Sequence, residues 1–453
     1  MFEKVLIANR GEIALRIARA ARELGVRTVA VHSSEDTGSA VVRCADESVH
    51  IGPPAASRSY LYIPALIEAA RRTGADAVHP GYGFLSEDAD FAEVCRAEGL
   101  AFIGPPADVI RRLGDKTAAR TAMAAAGLPL LPGSPGPLDS ATEARAVADT
   151  IGYPVIIKAA AGGGGRGMTV VHDPPGFAAA HRDTVARARA LFGDPTVFVE
   201  RYLPTARHVE VQILADGAGG AVYVGDRDCS VQRRHQKLIE EAPAPRLPAG
   251  LRARMGEAAV RGARAVGYEG AGTFEFLVDE AGDFFFMEVN CRIQVEHPVT
   301  EMLSGIDLVQ EQFHLAAGRP LTLRQEDVEL RGAAVECRIN AEDPDRDFAP
   351  APGPLTEFVP PGGPFVRVDT HAFEGYQVPA SYDSLLAKAV VWAPTRDEAL
   401  RRMDRALAEF RITGPGVHTT LGFLRRVMDE PAFRGGEYST SIVSQVLGVK
   451  TVR

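Results

Sequence analysis

At 453 residues, with 46% apolar and 24% charged residues, the chain has the composition of a soluble globular enzyme of two or three domains. A formal charge of −9 argues against a general nucleic-acid or anionic-membrane binder, and no apolar run approaches the roughly 20 residues of a membrane span. The amino-terminal run has no signal-peptide layout, and the scattered cysteines (44, 95, 229, 291, 337) include no CxxC pair, so free thiols in a reducing, cytoplasmic compartment are expected.

The first hundred residues read as α/β. Residues 4–8 form a strand pattern, a helix runs to about Glu23 with Ile13, Ile17, Ala20, Ala21 and Leu24 at helical spacing, and residues 27–31 form the next strand. The start is Rossmann-like, but its turn is Asn9-Arg-Gly rather than GxGxxG, so dinucleotide binding is unsupported. Residues 77–86 read as a strand end and a glycine loop, which serves equally as a ligand loop or as a tight turn. Residues 132–137 mark a boundary. An apolar strand then ends in Lys158, followed by the glycine-rich run 159–167 and a strand over 168–171. Such a loop can fold over phosphates or be a flexible turn, and the P-loop pattern is absent.

Residues 197–203 read as a strand, and in 207–213 His208, Glu210 and Gln212 share one face. The donor-rich stretch 226–237 reads as a loop that binds anions or is simply solvated. Residues 272–278 and 284–288 are aromatic-rich runs separated by a short polar stretch, a β-hairpin pattern. With the turn centred between Ala281 and Gly282, Glu275 lies opposite Glu288, with Cβ atoms roughly 5 Å apart. Two like charges there need a cation; the hard oxygens suit Mg²⁺ or Mn²⁺, with Asn290 as a further donor. A slipped register would separate the two glutamates. Residues 288–298 alternate at a period of two, which predicts extended chain with Glu288, Asn290, Arg292, Gln294 and Glu296 on one face. Residues 334–340 alternate again, 350–364 read as an ordered Pro/Gly connection, and 396–410 as an amphipathic helix.

Only six of the 50 basic residues are lysine: 4, 116, 158, 237, 388 and 450. Arginine serves wherever any cation will do, so a retained lysine marks a need for a compact point charge; the context is most pointed at Lys116, Lys158 and Lys237.

Taken together, the segments 4–17 (KVLIANRGEIALRI), 79–87 (HPGYGFLSE), 156–168 (IIKAAAGGGGRGM), 207–212 (RHVEVQ), 226–237 (DRDCSVQRRHQK), 240–245 (EEAPAP), 270–276 (GAGTFEF), 290–301 (NCRIQVEHPVTE) and 335–343 (VECRINAED) resemble biotin carboxylase, an ATP-grasp enzyme. The likeness spans essentially the whole chain, and 290–301 and 226–237 are its most specific parts. It implies a mixed α/β (α+β) fold: a Rossmann-like domain over 1–114, a linker helix over 115–131, an ATP-grasp lid over 132–203, an ATP-grasp core over 204–330 and a mixed α/β C-terminal domain over 331–453.

The resemblance further implies ATP binding by Lys116, Lys158, the lid glycines Gly164 and Gly165, Glu200, Arg201, Tyr202 and Leu203, His208, Gln232, His235, Glu275 and Glu288. Metal binding, with two Mg²⁺ or Mn²⁺ ions, falls to Glu275, Glu288 and Asn290. Bicarbonate falls to Lys237, Arg292, Gln294 and Val295, with Glu296 as general base, and biotin to Tyr82, Gly83 and Arg338. Arg292, Glu296, Lys237 and Arg338 form the implied catalytic set. Departures are small: Ala161 in the lid, Arg201 where lysine is common, and Cys291 beside Arg292. No Met-Lys-Met biotinylation motif is present and no length remains for a carboxyltransferase, so a separate biotin carboxyl carrier protein, separate carboxyltransferase subunits and a homodimer are expected. The implied activity is ATP-dependent carboxylation of biotin with bicarbonate, through carboxyphosphate, as the first half-reaction of an acetyl-CoA or acyl-CoA carboxylase. The rivals are another ATP-grasp ligase, and a non-catalytic ATP-binding regulatory subunit, which should have lost one of Lys237, Glu296 or Arg338.

Overall fold

A computed structural model describes residues 1–138, 140–160 and 167–448. The amino-terminal part is a five-stranded parallel sheet in the order Glu47–Gly52, Arg27–Ser33, Lys4–Ile7, Ala77–His79, Ala101–Phe102. Val5, Leu6 and Ile7 are buried on both faces, as a central parallel strand requires. Helix Gly11–Glu23 buries the predicted stripe of Ile13, Ile17, Ala20 and Ala21. The Rossmann-like start is therefore as expected, and its Asn9 turn and the 80–87 loop both lie at strand carboxyl ends.

A three-stranded antiparallel sheet follows, with Val155–Ala159 between Met168–Val171 and Val197–Arg201. Val155, Ile157, Val197 and Val199 bury one face against helices Ala141–Ile151 and Phe177–Phe192. Alternation turns Lys158 and Glu200 to the other face.

The largest unit is an eight-stranded antiparallel sheet. Its order is Phe284–Asn290, Gly270–Val278, Arg207–Ala215, Ala221–Arg233, Gln236–Ala242, Ala333–Asn340, Leu385–Ala393, Val366–Thr370, continuous across residue 330. Helix Ala249–Val266 covers one face. It approaches closely enough that a Cβ on Gly262 would sit 2.7 Å from the Phe274 ring and 2.8 Å from Met123 Sδ. Helix Arg396–Glu409, started by a Thr395/Glu398 capping box, covers the far end of the sheet.

Two expectations fail here. Residues 226–237 are not a loop. They form most of strand Ala221–Arg233, a turn at Arg234 and His235 with positive φ, and the start of Gln236–Ala242. The stretch looked poor in apolar anchors because its polar side chains find partners on neighbouring strands: Arg227 with Glu210, and Asp228 with Arg207. Nor is 288–298 extended throughout. The strand ends at Asn290, the chain turns through 291–296, and helix His297–Ser304 begins with Pro298 in its first turn. Residues 350–364 hold three short paired strands. All five cysteines are unpaired, and no helix among the described residues is long and apolar enough to cross a membrane.

Candidate active site

The hairpin puts Glu275 directly opposite Glu288, but by a different route from the one expected. Val278 pairs with Phe284 and Phe276 with Phe286, which centres the turn on Ala281. A regular ladder from there would oppose Glu275 to Met287. A one-residue bulge between the Phe276 and Glu275 pairs restores the Glu275–Glu288 match.

On its other side Glu275 is paired with Glu210, and Glu210 with Arg227. Four charged residues thus form one row across four strands: Glu288, Glu275, Glu210, Arg227. Lys237, from the next strand, reaches back over that row. Its Nζ lies 2.6 Å from Glu210, 2.9 Å from Glu275 and 2.6 Å from Glu296. Ligand atoms of His208, Glu210 and Glu275, and of Glu210, Cys229 and Glu296, are also close enough to chelate an ion, but here the lysine ammonium holds these carboxylates together.

Glu296 stands immediately before helix His297–Ser304 and is fully buried. It accepts from Lys237 through Oε1 and from Arg338 through Oε2 at 2.9 Å. Burial alone would raise its pKa; Lys237, Arg338 and Arg227 outweigh burial and hold the carboxyl well below the ordinary range. Glu275 follows the same pattern, with Lys237 and His208 overcoming burial. His208 lies 3.0 Å from Glu275, and that carboxylate outweighs burial to raise the imidazole. Glu288 is open to the cleft, where partial desolvation and the Glu275 charge raise it. Glu275, Glu288 and Asn290 lie in neighbouring register positions, and their hard oxygens fit a Mg²⁺ or Mn²⁺ ion.

The nucleotide-side residues converge from a second sheet. Lys158 Nζ lies 2.5 Å from Glu200, which also receives Arg120 at 2.5 Å, and Lys116 Nζ donates to the Ala159 carbonyl at 3.5 Å. The Glu200 carboxylate is thus spent on orienting Lys158. The backbone N–H groups of Arg201 and Tyr202 donate to the Pro132 and Pro154 carbonyls. Gln232 bridges to His208 Nδ1 at 3.3 Å, and His235 sits on the neighbouring turn, where burial, His208 and Lys158 lower it. Gly164 and Gly165 lie outside the described residues.

Arg292 is fixed in a fan: Nε donates to Glu87 at 2.8 Å, Nη1 to Gln294 at 3.1 Å and Nη2 to Asn290 at 3.0 Å. Glu87 also accepts the Cys291 N–H, tying the 80–87 loop to the turn after the hairpin. Tyr82 and Gly83 lie on that loop. Asn9 donates to the carbonyls of Pro80 and Tyr82, and a Cβ on Gly81 (φ +65°) would sit 2.9 Å from the Asn9 amide. Sequence reasoning gave no role to Asn9, Glu87, Arg120 or Arg227. Arg227 had a signal, since a guanidinium amid alternating residues is out of place in a solvated loop; the others acquire partners only through folding.

Under Arg338 lies a second carboxylate pair. Glu240 opposes Glu336 across adjacent strands; both are fully buried, and the Glu336 oxygens have no hydrogen-bond partner. Burial lifts Glu240 to about 7 and Glu336 well above its ordinary value, against the pull of Arg338 and Lys388 respectively. A carboxyl raised by folding holds a proton that the unfolded chain has already released, so its contribution to stability is lost as pH rises from the ordinary carboxylate range towards 7, at up to about 1.4 kcal/mol per pH unit for one proton. Glu336→Gln should flatten this fall between pH 5 and 8 in chemical denaturation; an unchanged slope would contradict the assignment.

Family models match three consecutive parts of the chain: "Biotin carboxylase, N-terminal domain" over residues 1–110, "Carbamoyl-phosphate synthase L chain, ATP binding domain" over 115–324, and "Biotin carboxylase C-terminal domain" over 336–445. A biotin carboxylase from Nostoc sp. is 54% identical over 445 residues, covering 98% of this chain and 99% of that protein. The crystal structure of a biotin carboxylase β,γ-ATP complex from Campylobacter jejuni superposes with a TM-score of 0.95 at 46% identity, over 98% of this chain and 99% of that one. The biotin carboxylase domain dimer of Hydrogenobacter thermophilus 2-oxoglutarate carboxylase, in complex with MgADP, ADP and bicarbonate, gives a TM-score of 0.94 at 42% identity, over 99% and 98%.

Proposed function

The chain belongs to the biotin carboxylase family of ATP-dependent ligases, and from that premise we propose that it carboxylates biotin borne on a separate carrier protein, as the first half-reaction of an acyl-CoA carboxylase supplying malonyl-CoA. Two cations, Lys237 and Arg338, converge on the buried Glu296 beside the opposed Glu275 and Glu288, and this convergence carries the assignment. Arg292, Gln294 and the Val295 N–H complete an anion pocket; Glu296 removes the bicarbonate proton, so that the dianion attacks the γ-phosphoryl group. With two cations on it, Glu296 is a weak base. A bicarbonate anion that draws Lys237 and Arg292 to itself strengthens the base at the moment of use.

Lys116 and Lys158 take the ATP phosphates, with Leu203 and its neighbours at the base and His208, Gln232 and His235 beside the sugar and phosphates. Gly164 and Gly165 belong to a lid over 132–203 whose closure keeps water from carboxyphosphate. Glu275, Glu288 and Asn290 would hold the metal, which supplies charge neutralisation on the phosphate oxygens when bound. Tyr82 and Gly83 line the biotin side, where Arg338 stabilises the developing negative charge of the ureido group.

Near end-to-end coverage of the Nostoc relative supports action on a carrier outside this chain, and the Hydrogenobacter dimer supports a homodimer. Five unpaired thiols support a cytoplasmic setting. The same Hydrogenobacter relative favours a second reading of the final acceptor, a 2-oxo acid in place of an acyl-CoA. The test incubates the purified chain with Mg-ATP, carbon-labelled bicarbonate and a biotinylated carrier. Acid-labile label on the carrier is expected, and its onward transfer to acyl-CoA or to a 2-oxo acid by added carboxyltransferase separates the acceptors. ADP release without label on the carrier would refute the proposal.

A further inference from the structure

Lys388 is one of six lysines in a chain that otherwise uses arginine, and none of the roles above employs it. It is wholly buried in the interior of strand Leu385–Ala393, in register with Arg338 on one side and Asp369 on the other. Its Nζ donates to the Val295 carbonyl at 2.8 Å and lies 2.9 Å from Glu12 Oε1. That same Glu12 oxygen accepts the Tyr82 hydroxyl. Glu12 sits in the first turn of helix Gly11–Glu23, just after Asn9, whose amide holds the Tyr82 carbonyl.

One buried ammonium therefore joins the turn that carries the base to the loop that carries Tyr82. The groups around it are Glu12, Glu336, Asp369, Arg338 and His297. Burial opposes its charge, but Glu12, Glu336 and Asp369 outweigh that and keep it protonated. His297, held well below its ordinary value by burial and then by Lys388, remains neutral.

We propose, resting on the function argued above, that Lys388 and Glu12 form a positioning strut that sets the bicarbonate turn at Val295–Glu296 against the Tyr82 loop, so that biotin bound at one end tunes the base at the other. The Val295 carbonyl is occupied by Lys388, which leaves its N–H facing the anion pocket. A point charge with three donors serves a carbonyl and a carboxylate at once; a guanidinium on a longer stem would place carbon where Nζ now sits, in a site with no free volume. Arginine substitution should therefore fail to rescue, unlike at a surface lysine.

The test measures bicarbonate-dependent ADP release with and without free biotin in the full chain and in Lys388→Met, Lys388→Arg and Glu12→Gln, alongside thermal midpoints. Lys388→Met should raise the KM for bicarbonate by about tenfold or more and abolish stimulation by biotin, with the KM for ATP within about twofold. Lys388→Arg should share the defect. Glu12→Gln, which keeps an acceptor for both partners but not the charge, should blunt the stimulation with a smaller change in KM. If Lys388→Met does not fold, Glu12→Gln carries the test alone. A folded Lys388→Met or Lys388→Arg with unchanged bicarbonate KM and biotin stimulation would overturn the strut, as would a parallel loss in the ATP and bicarbonate parameters. Absence of bicarbonate-dependent ADP release in the unaltered chain would overturn the underlying function instead.

Discussion

Glu296→Gln should lower bicarbonate-dependent ADP release by about 10²- to 10⁴-fold, the usual contribution of a positioned general base. The substitution is nearly isosteric, so packing survives. Lys237 keeps Glu210 and Glu275, and Arg338 keeps Glu240 at 2.5 Å, so neither cation is stranded. Binding of Mg-ATP should be within about threefold of the unaltered chain, because none of the nucleotide-side residues touches Glu296. A coupled ADP assay and a nucleotide titration check both halves. A variant that keeps more than a tenth of the rate would remove Glu296 from the role of base.

Lys237→Met should cost both activity and stability. The ammonium is the shared partner of Glu210, Glu275 and Glu296, all buried, and removing one member of a buried ionic cluster costs about 3–5 kcal/mol. Remaining cations moderate the loss: Arg227 stays on Glu210, His208 on Glu275 and Arg338 on Glu296. The sign of the pH dependence follows from the lowered carboxyls. In the unaltered chain, Glu275 and Glu296 contribute stability that is present above the ordinary carboxylate pKa and lost as pH falls through their depressed values. Without Lys237 the folded-state values rise towards normal or above, and the variant relieves its strain by protonation. Its deficit should therefore be larger at pH 8 than at pH 5.5 in denaturant titrations. Equal deficits at the two pH values would show that Lys237 acts by packing alone.

Local pattern made much of the architecture legible. The strand at 168–171, the stripe of the first helix and the capped helix near 396 follow from spacing and caps that neighbouring residues supply. The Glu275–Glu288 pairing was legible too, although the bulge at Met287 that produces it was not, since bulges depend on how both partner strands pack. The segment 226–237 misled because a strand with both faces buried shows no alternation once its polar side chains meet partners from other strands. The site's supports were hidden for the same reason. Glu87 meets Arg292, Arg120 meets Glu200 and Lys388 meets Glu12 only after hundreds or scores of residues have folded between them. Lysine scarcity singled out the right residue type, and only the structure gave Lys388 its partners.

The most direct test is ADP release from the purified chain with Mg-ATP, with and without bicarbonate and free biotin. Release that requires bicarbonate, rises with biotin and vanishes in Glu296→Gln is the predicted result. Release indifferent to bicarbonate and biotin, or unaffected by Glu296→Gln, would contradict the assignment of this buried cluster to biotin carboxylation.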